Sequence, residues 1–107
     1  AVIPVLPVTD TLKTVDASGV VVGTPRRSDM VAVQTPQGFR WEVLIRAHEE
    51  GASLGADEAR AATDDAGLVE AIGGTVHTVA GAERSMKVTR PLDLALAQIL
   101  VAEEMGA

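Results

Sequence analysis

The side chains able to do chemistry in this sequence are few and scattered. Its cations of interest are Arg26–Arg27 and Lys87, its hydroxyls of interest lie in Thr35–Pro36–Gln37 and Thr63–Asp64–Asp65, and its two histidines are His48 and His77. With 9 Lys and Arg against 15 Asp and Glu the formal net charge is −6, so an anion would have to be held by a local site. Cysteine is absent, which excludes a thiol nucleophile, thiolate metal sites and disulfides. Taken alone, each position also has a plain structural reading. Thr63 ahead of Asp64–Asp65 reads as a helix N-cap with two carboxylates at the positive helix end. Those carboxylates would repel a phosphate placed there, so anion binding would need a cation such as Arg27 or Lys87 nearby. Arg26–Arg27 reads as a solvated pair on a loop, and Lys87, between Met86 and Val88, as a surface group on a short edge strand. Thr35–Pro36 reads as the end of a strand, with proline suited to a first helical turn. His48 falls on the apolar face of a helix, as a packed core or interface residue, and His77 lacks a spaced partner; neither reads as a metal ligand.

The elements that must position these groups follow from hydrophobic periodicity. Ala1 to Val8 is an apolar run interrupted by Pro4 and Pro7, suiting a short buried or edge strand. Thr11–Val15 and Val20–Val22, separated by the turn signal Asp16–Ala17–Ser18–Gly19, predict a hairpin. Met30–Gln34 alternates as a third extended piece, so residues 11–34 read as a β-rich arm. After Pro36 the period changes: Trp41, Leu44, Ile45 and His48 share one helical face, and Gly51 is placed to end that helix. Residues 52–62 read as a loop with a helical turn. A short helix through Leu68, Val69, Ala71 and Ile72 follows, capped by Thr63 and stopped by Gly73–Gly74. Thr75–Val79 alternates as a strand, Met86–Val88 is a second extended piece, and Pro91 opens a helix to about Glu104 with Leu92, Leu96 and Ile99 on its buried side. The order indicates an α/β layer arrangement.

Composition narrows the function classes further. At 47% hydrophobic and 22% charged the chain has globular composition, and 107 residues leave room for one small domain or part of a larger one. Phe39 and Trp41 are its only aromatics, so stacking platforms for single-stranded nucleic acid are absent, and the acidic balance disfavours nucleic acid and anionic membranes as partners. The longest apolar runs fall far short of the roughly 18 residues of a membrane span. Lack of cysteine is compatible with a cytoplasmic location. The chain opens on Ala1 inside an apolar run with no initiator Met, which leads us to expect a piece of something longer.

Several segments are more specific than composition. In order, Asp10–Thr11–Leu12–Lys13, Gln34–Thr35–Pro36–Gln37–Gly38–Phe39, Thr63–Asp64–Asp65–Ala66, Val79–Ala80–Gly81 and Met86–Lys87–Val88–Thr89–Arg90–Pro91–Leu92–Asp93–Leu94 resemble the C-terminal half of methylerythritol phosphate cytidylyltransferase. The resemblance covers essentially the whole chain. It implies the C-terminal part of a Rossmann-like nucleotidyltransferase fold over 1–107, with a projecting β-arm at about 11–34 that reaches a neighbouring subunit in a homodimer. It implies transfer of CMP from CTP to methylerythritol phosphate in the non-mevalonate route to isoprenoid precursors. Mg²⁺ would be held largely by the CTP phosphates and by residues upstream of Ala1. By similarity Lys87 contacts the reacting phosphates, Arg27, Thr35 and Thr63 hold the substrate's phosphate, and Thr11 lies near the erythritol hydroxyls.

Where many relatives have Asn two residues before the lysine, this sequence has Ser85, a smaller hydrogen-bonding group. The family's Gly-rich, basic CTP loop would lie upstream of Ala1, so the segment alone is expected to be inactive. Ala107 follows soon after the last helix, with no sign of the cyclodiphosphate synthase fused in some members. Two other readings remain: a related pentitol or sugar phosphate cytidylyltransferase, and a non-catalytic dimerisation and substrate-binding module.

Overall fold

The computed structural model describes residues 1–53 and 64–106. They form two compact units: one built from Ala1–Pro4 and Gln34–Ala80, the other from Val5–Val33 and Gly81–Ala107. In chain order the described elements are β1 (Val2–Pro7), β2 (Thr14–Val15), β3 (Val21–Gly23), β4 (Val31–Val33), α1 (Trp41–Ser53), α2 (Asp65–Ala71), β5 (His77–Ala80) and α3 (Pro91–Glu104). A three-stranded sheet has the order β4–β1–β5, and β2–β3 form a separate two-stranded sheet. The α/β class expected from the sequence is therefore observed.

In the unit containing α1 and α2, the start of β1 is held by a reciprocal pair of 2.8 Å hydrogen bonds between Val2 and Gly38. His77 N–H donates to the Ala1 carbonyl at 2.9 Å, and Gln34 N–H donates to the Pro4 carbonyl at 2.8 Å. Proline lacks a donor but keeps its acceptor, which is how Pro4 sits in a strand with neighbours on both sides. Among the described residues, Ile3, Ala47, Ala66 and Val69 are the buried apolar residues.

Helix α1 packs on α2, and the contact differs from the sequence expectation. The inner face of α1 is Val43, Leu44, Ala47 and Gly51, whereas Trp41, Ile45 and His48 are exposed. Gly51 does not end the helix, which continues to Ser53. Its role is close approach: a β-carbon there would stand 3.2 Å from Leu68 Cδ2 of α2. His48 is not a core residue; its Nε2 is 2.9 Å from Asp65 Oδ1 on α2. Gly73, at φ +80°, closes α2 as expected, with Gly74 N–H donating to the Val69 carbonyl at 2.9 Å.

In the other unit, β4 pairs antiparallel with the end of β1 in the register Val5↔Val33, Leu6↔Ala32 and Pro7↔Val31. Residues 31–33 therefore belong to the main sheet rather than to the arm, because their apolar alternation finds a partner in β1. The hairpin itself is Thr14–Val15 against Val21–Gly23. Its turn is built by Asp16, whose Oδ1 accepts from Ser18 N–H at 2.9 Å, Ser18 Oγ at 2.7 Å and Val20 N–H at 3.0 Å. Gly19 supplies the positive φ of +85°.

Residues 86–88 pair with no strand among the described residues; they lie in an irregular stretch leading to α3. The face of α3 also differs from expectation: Asp93, Ala97 and Leu100 are half-buried, while Leu92, Leu96 and Ile99 are exposed, Leu92 at 70%. Helix α3 is so uniformly apolar that periodicity could not choose its inner side.

Candidate functional site

Lys87 lies on the irregular stretch between β5 and α3, which α3 fastens at both ends. Upstream, the Arg84 guanidinium pairs with Glu103. Downstream, Asp93 Oδ2 accepts from Thr89 N–H at 3.1 Å and from Arg90 N–H at 2.9 Å, with Pro91 opening the helix. The Lys87 side chain is exposed and forms no ion pair among the described residues. A lysine on a pinned, exposed stretch is a mobile point charge on a fixed base, suited to a phosphate oxygen.

Arg27 begins a single 3₁₀ turn, Arg27–Asp29, and its Nη1 donates to the Thr9 carbonyl at 2.8 Å. That bond ties the guanidinium to the loop bearing Thr11, two residues further on. Thr11 is itself exposed and lies between β1 and β2. Nearby in sequence, Lys13 Nζ donates to Thr24 Oγ1 at 2.8 Å across the hairpin base. The guanidinium of Arg27 thereby reaches the loop between β1 and β2.

Thr35 belongs to the unit that contains α1 and α2. It is exposed at the bend after β4, followed by a cis peptide to Pro36, and Pro36 lies outside the first turn of α1. Two residues on, Gln37 Nε2 donates to Asp64 Oδ2 at 2.8 Å, and Gln37 Oε1 accepts from Ala66 N–H at 3.3 Å. Asp64, rather than Thr63, is the N-cap of α2: its φ of −154° is extended and its Oδ1 accepts from Gly67 N–H at 2.7 Å. Thr63 lies outside the described residues. The paired carboxylates at the start of α2 are thus both engaged, Asp64 by Gln37 and Gly67, Asp65 by His48.

Reading residues singly missed the side-chain bonds made by Gln37, Asp64 and Asp93. Asp93 was signalled by its place two residues after Pro91 at a helix start. The Gln37–Asp64 bond joins residues 27 apart, a pairing that carries no local periodicity. Among the described residues no three His, Asp or Glu side chains group as metal ligands. The clearest displaced acid is Asp16, whose carboxyl is held below its ordinary range chiefly by the Ser18 hydroxyl, then by Val20 N–H; it serves the hairpin turn.

Residues 1–103 match the family model for IspD, 2-C-methyl-D-erythritol 4-phosphate cytidylyltransferase. The chain belongs to that family. It is 55% identical over 103 residues to the 2-C-methyl-D-erythritol 4-phosphate cytidylyltransferase of Rhodococcus jostii (strain RHA1), covering 96% of this chain and 42% of that protein. The corresponding protein of Frankia casuarinae is 57% identical over 102 residues, with 95% of this chain and 36% of that protein covered. Among solved structures, the cytidylyltransferase from Thermus thermophilus superposes with a TM-score of 0.74 at 38% identity over 94% of this chain and 48% of that one. The chain thus spans about two fifths of the length of the curated relatives it matches. Its mixed α/β architecture corresponds to that part of the nucleotidyltransferase structures.

Proposed function

We propose that this chain is the C-terminal portion of a cytidylyltransferase domain that transfers CMP from CTP to methylerythritol phosphate. The products are diphosphocytidyl-methylerythritol and pyrophosphate, in the synthesis of isoprenoid precursors. A phosphate oxygen of the polyol phosphate attacks the α-phosphorus of CTP, and the bond to the β-phosphate oxygen breaks as pyrophosphate leaves. The observation that carries this reading is the family match across residues 1–103, which includes the Thr35–Pro36–Gln37 and Lys87–Val88–Thr89 segments.

The work asked of the protein is to bring two polyanions together and offset charge on the reacting phosphorus, which requires placed cations more than a covalent nucleophile. Lys87 is assigned to the reacting phosphates, Arg27, Thr35 and Thr63 to the phosphate of the polyol, and Thr11 to its hydroxyls. The pinned stretch under Lys87 and the bond from Arg27 to the Thr11 loop support these roles. Mg²⁺ supplies further charge neutralisation on the triphosphate. The described carboxylates of this chain do not group to hold it, so we assign it to CTP and to residues elsewhere in the complete enzyme.

Two features support wider assembly. Val15, Val20, Val21 and Val22 are all more than half exposed on the β2–β3 hairpin, an apolar patch that a homodimer would cover. Leu92, Leu94, Ile99 and Val101 are likewise more than half exposed on α3, consistent with a helix that completes its packing in a longer domain. No helix described is long and apolar enough to cross a membrane, and we place the enzyme in the cytoplasm.

The test is CMP transfer by the complete protein, with methylerythritol phosphate and ribitol phosphate compared as acceptors. Preference for methylerythritol phosphate is the expected result. Preference for ribitol phosphate would assign the scaffold to a pentitol phosphate cytidylyltransferase, and no transfer to either would leave a binding and dimerisation module.

A further inference from the structure

Gln37 spans the gap between the loop that follows Thr35 and the start of α2 with both ends of its amide in use. Its Nε2 donates to Asp64 Oδ2 at 2.8 Å, and its Oε1 accepts from Ala66 N–H at 3.3 Å. Asp64 is committed from the other side, its Oδ1 accepting from Gly67 N–H at 2.7 Å. The polarity of each partner is therefore fixed. A backbone N–H can only donate, so Gln37 must present oxygen to Ala66 and nitrogen to Asp64, and Asp64 must present an acceptor to each neighbour. Gly38, the next residue, is locked by its reciprocal bonds to Val2, so the segment 37–38 is held from two directions. Thr35 precedes this anchor by two residues and Thr63 precedes Asp64 directly in the chain.

We propose that Gln37 and Asp64 are positioning residues for polyol phosphate binding: their side-chain clasp sets the place of Thr35 relative to the start of α2. The proposal rests on the cytidylyltransferase reading given above. Neither residue contacts the phosphate. The clasp is a specificity device for one substrate, because it acts on a threonine assigned to the polyol phosphate and on none of the groups assigned to the transferring phosphorus.

The clasp can be inverted. Asp64→Asn keeps an oxygen for the Gly67 cap but turns an amide NH₂ toward Gln37. Whichever way the Gln37 amide is then rotated, one donor faces another, at Asp64 or at Ala66. Combining Asp64→Asn with Gln37→Glu restores acceptor against donor at both contacts and keeps the net charge unchanged.

The experiment is steady-state kinetics of the complete enzyme carrying Asp64→Asn, Gln37→Ala, or the double exchange, with each substrate varied in turn. The single variants should raise KM for methylerythritol phosphate about five- to tenfold, the scale of one lost hydrogen bond, and leave kcat and KM for CTP within about twofold. The double exchange should bring KM back to within about twofold of the wild type and keep Ala66 amide exchange as slow as in the wild type, whereas Gln37→Ala accelerates it. Equal losses for both substrates, or no recovery in the double exchange, would overturn the positioning role. An active wild type whose polyol phosphate KM is unmoved by Asp64→Asn would overturn it while leaving the functional reading intact. A wild type with no CMP transfer would instead remove the functional reading, and the positioning role with it.

Discussion

Two glycines, one on α1 facing α2 and one just beyond the end of α2, should respond to the same substitution with opposite signs. At Gly51, alanine gains helix propensity, up to about 1 kcal/mol in a helix interior and about half that so near the end of α1. The added methyl is buried, worth about 0.8 kcal/mol. Its obstacle is Leu68 Cδ2 at 3.2 Å, the tip of a flexible, half-buried side chain that can yield by a few tenths of an ångström. The net expectation for Gly51→Ala is stabilisation by about 0.5–1 kcal/mol after crowding is subtracted. At Gly74 the same β-carbon would meet Val69 Cγ1 at 2.6 Å and the Val69 carbonyl oxygen at 2.9 Å. That carbonyl also accepts from Gly74 N–H at 2.9 Å, so relief of the clash means moving backbone away from its own hydrogen bond. Overpacking of about 1–3 kcal/mol plus a weakened bond of about 1 kcal/mol predicts a loss of about 2–4 kcal/mol for Gly74→Ala. Urea titration of the two variants of the complete protein, with unchanged m-values, gives both numbers. A Gly74→Ala variant as stable as the wild type, or one more stable than Gly51→Ala, would refute the close approach of Gly74 to Val69 at the end of α2.

Other consequences concern the candidate groups and the hairpin. In the complete enzyme Lys87→Ala should lower kcat by about two to three decades, the scale of a lost transition-state donor; unchanged turnover would remove Lys87 from the mechanism. Arg27→Ala should raise KM for methylerythritol phosphate with CTP affinity close to normal, and the reverse pattern would show the assignment of Arg27 to be wrong. The carboxyl of Asp16 is depressed by bonds made only in the folded turn, so its contribution to the hairpin is present above its unfolded value near 3.8 and is lost as pH falls through the lower folded value. Amide exchange at Ser18 and Val20, corrected for intrinsic pH dependence, should therefore lose protection in acid; protection unchanged below that range would contradict the role of Asp16.

What the sequence made legible was whatever local chemistry decides. The turn at Asp16–Gly19, the stop at Gly73, the proline start of α3 and the alternation of β4 each announce themselves within a few residues, and each is found. Faces were harder. On α1 the choice of Trp41 and His48 over Ala47 and Gly51 followed hydrophobicity, but the close contact with α2 selects small residues instead. On α3 leucine, isoleucine and valine occur on every side, leaving no stripe to read. Thr63 was a reasonable cap by type, yet Asp64 takes the position because its second oxygen also satisfies Gln37. Partners far apart in the chain, such as Gln37 and Asp64 or Arg84 and Glu103, become visible only once the elements are in place. The resemblance to cytidylyltransferases, by contrast, needed only short ordered motifs, and the family match spans nearly the whole chain.

In the function proposed, Lys87, Arg27 and the threonines serve one transfer, of CMP to a phosphorylated polyol. Its most direct measurement is formation of diphosphocytidyl-methylerythritol and pyrophosphate, in equal amounts, from CTP and methylerythritol phosphate by the complete protein. Stoichiometric products that fall together in Lys87→Ala are the expected result. Pyrophosphate released without the nucleotide conjugate, or conjugate formed at the wild-type rate by Lys87→Ala, would contradict it.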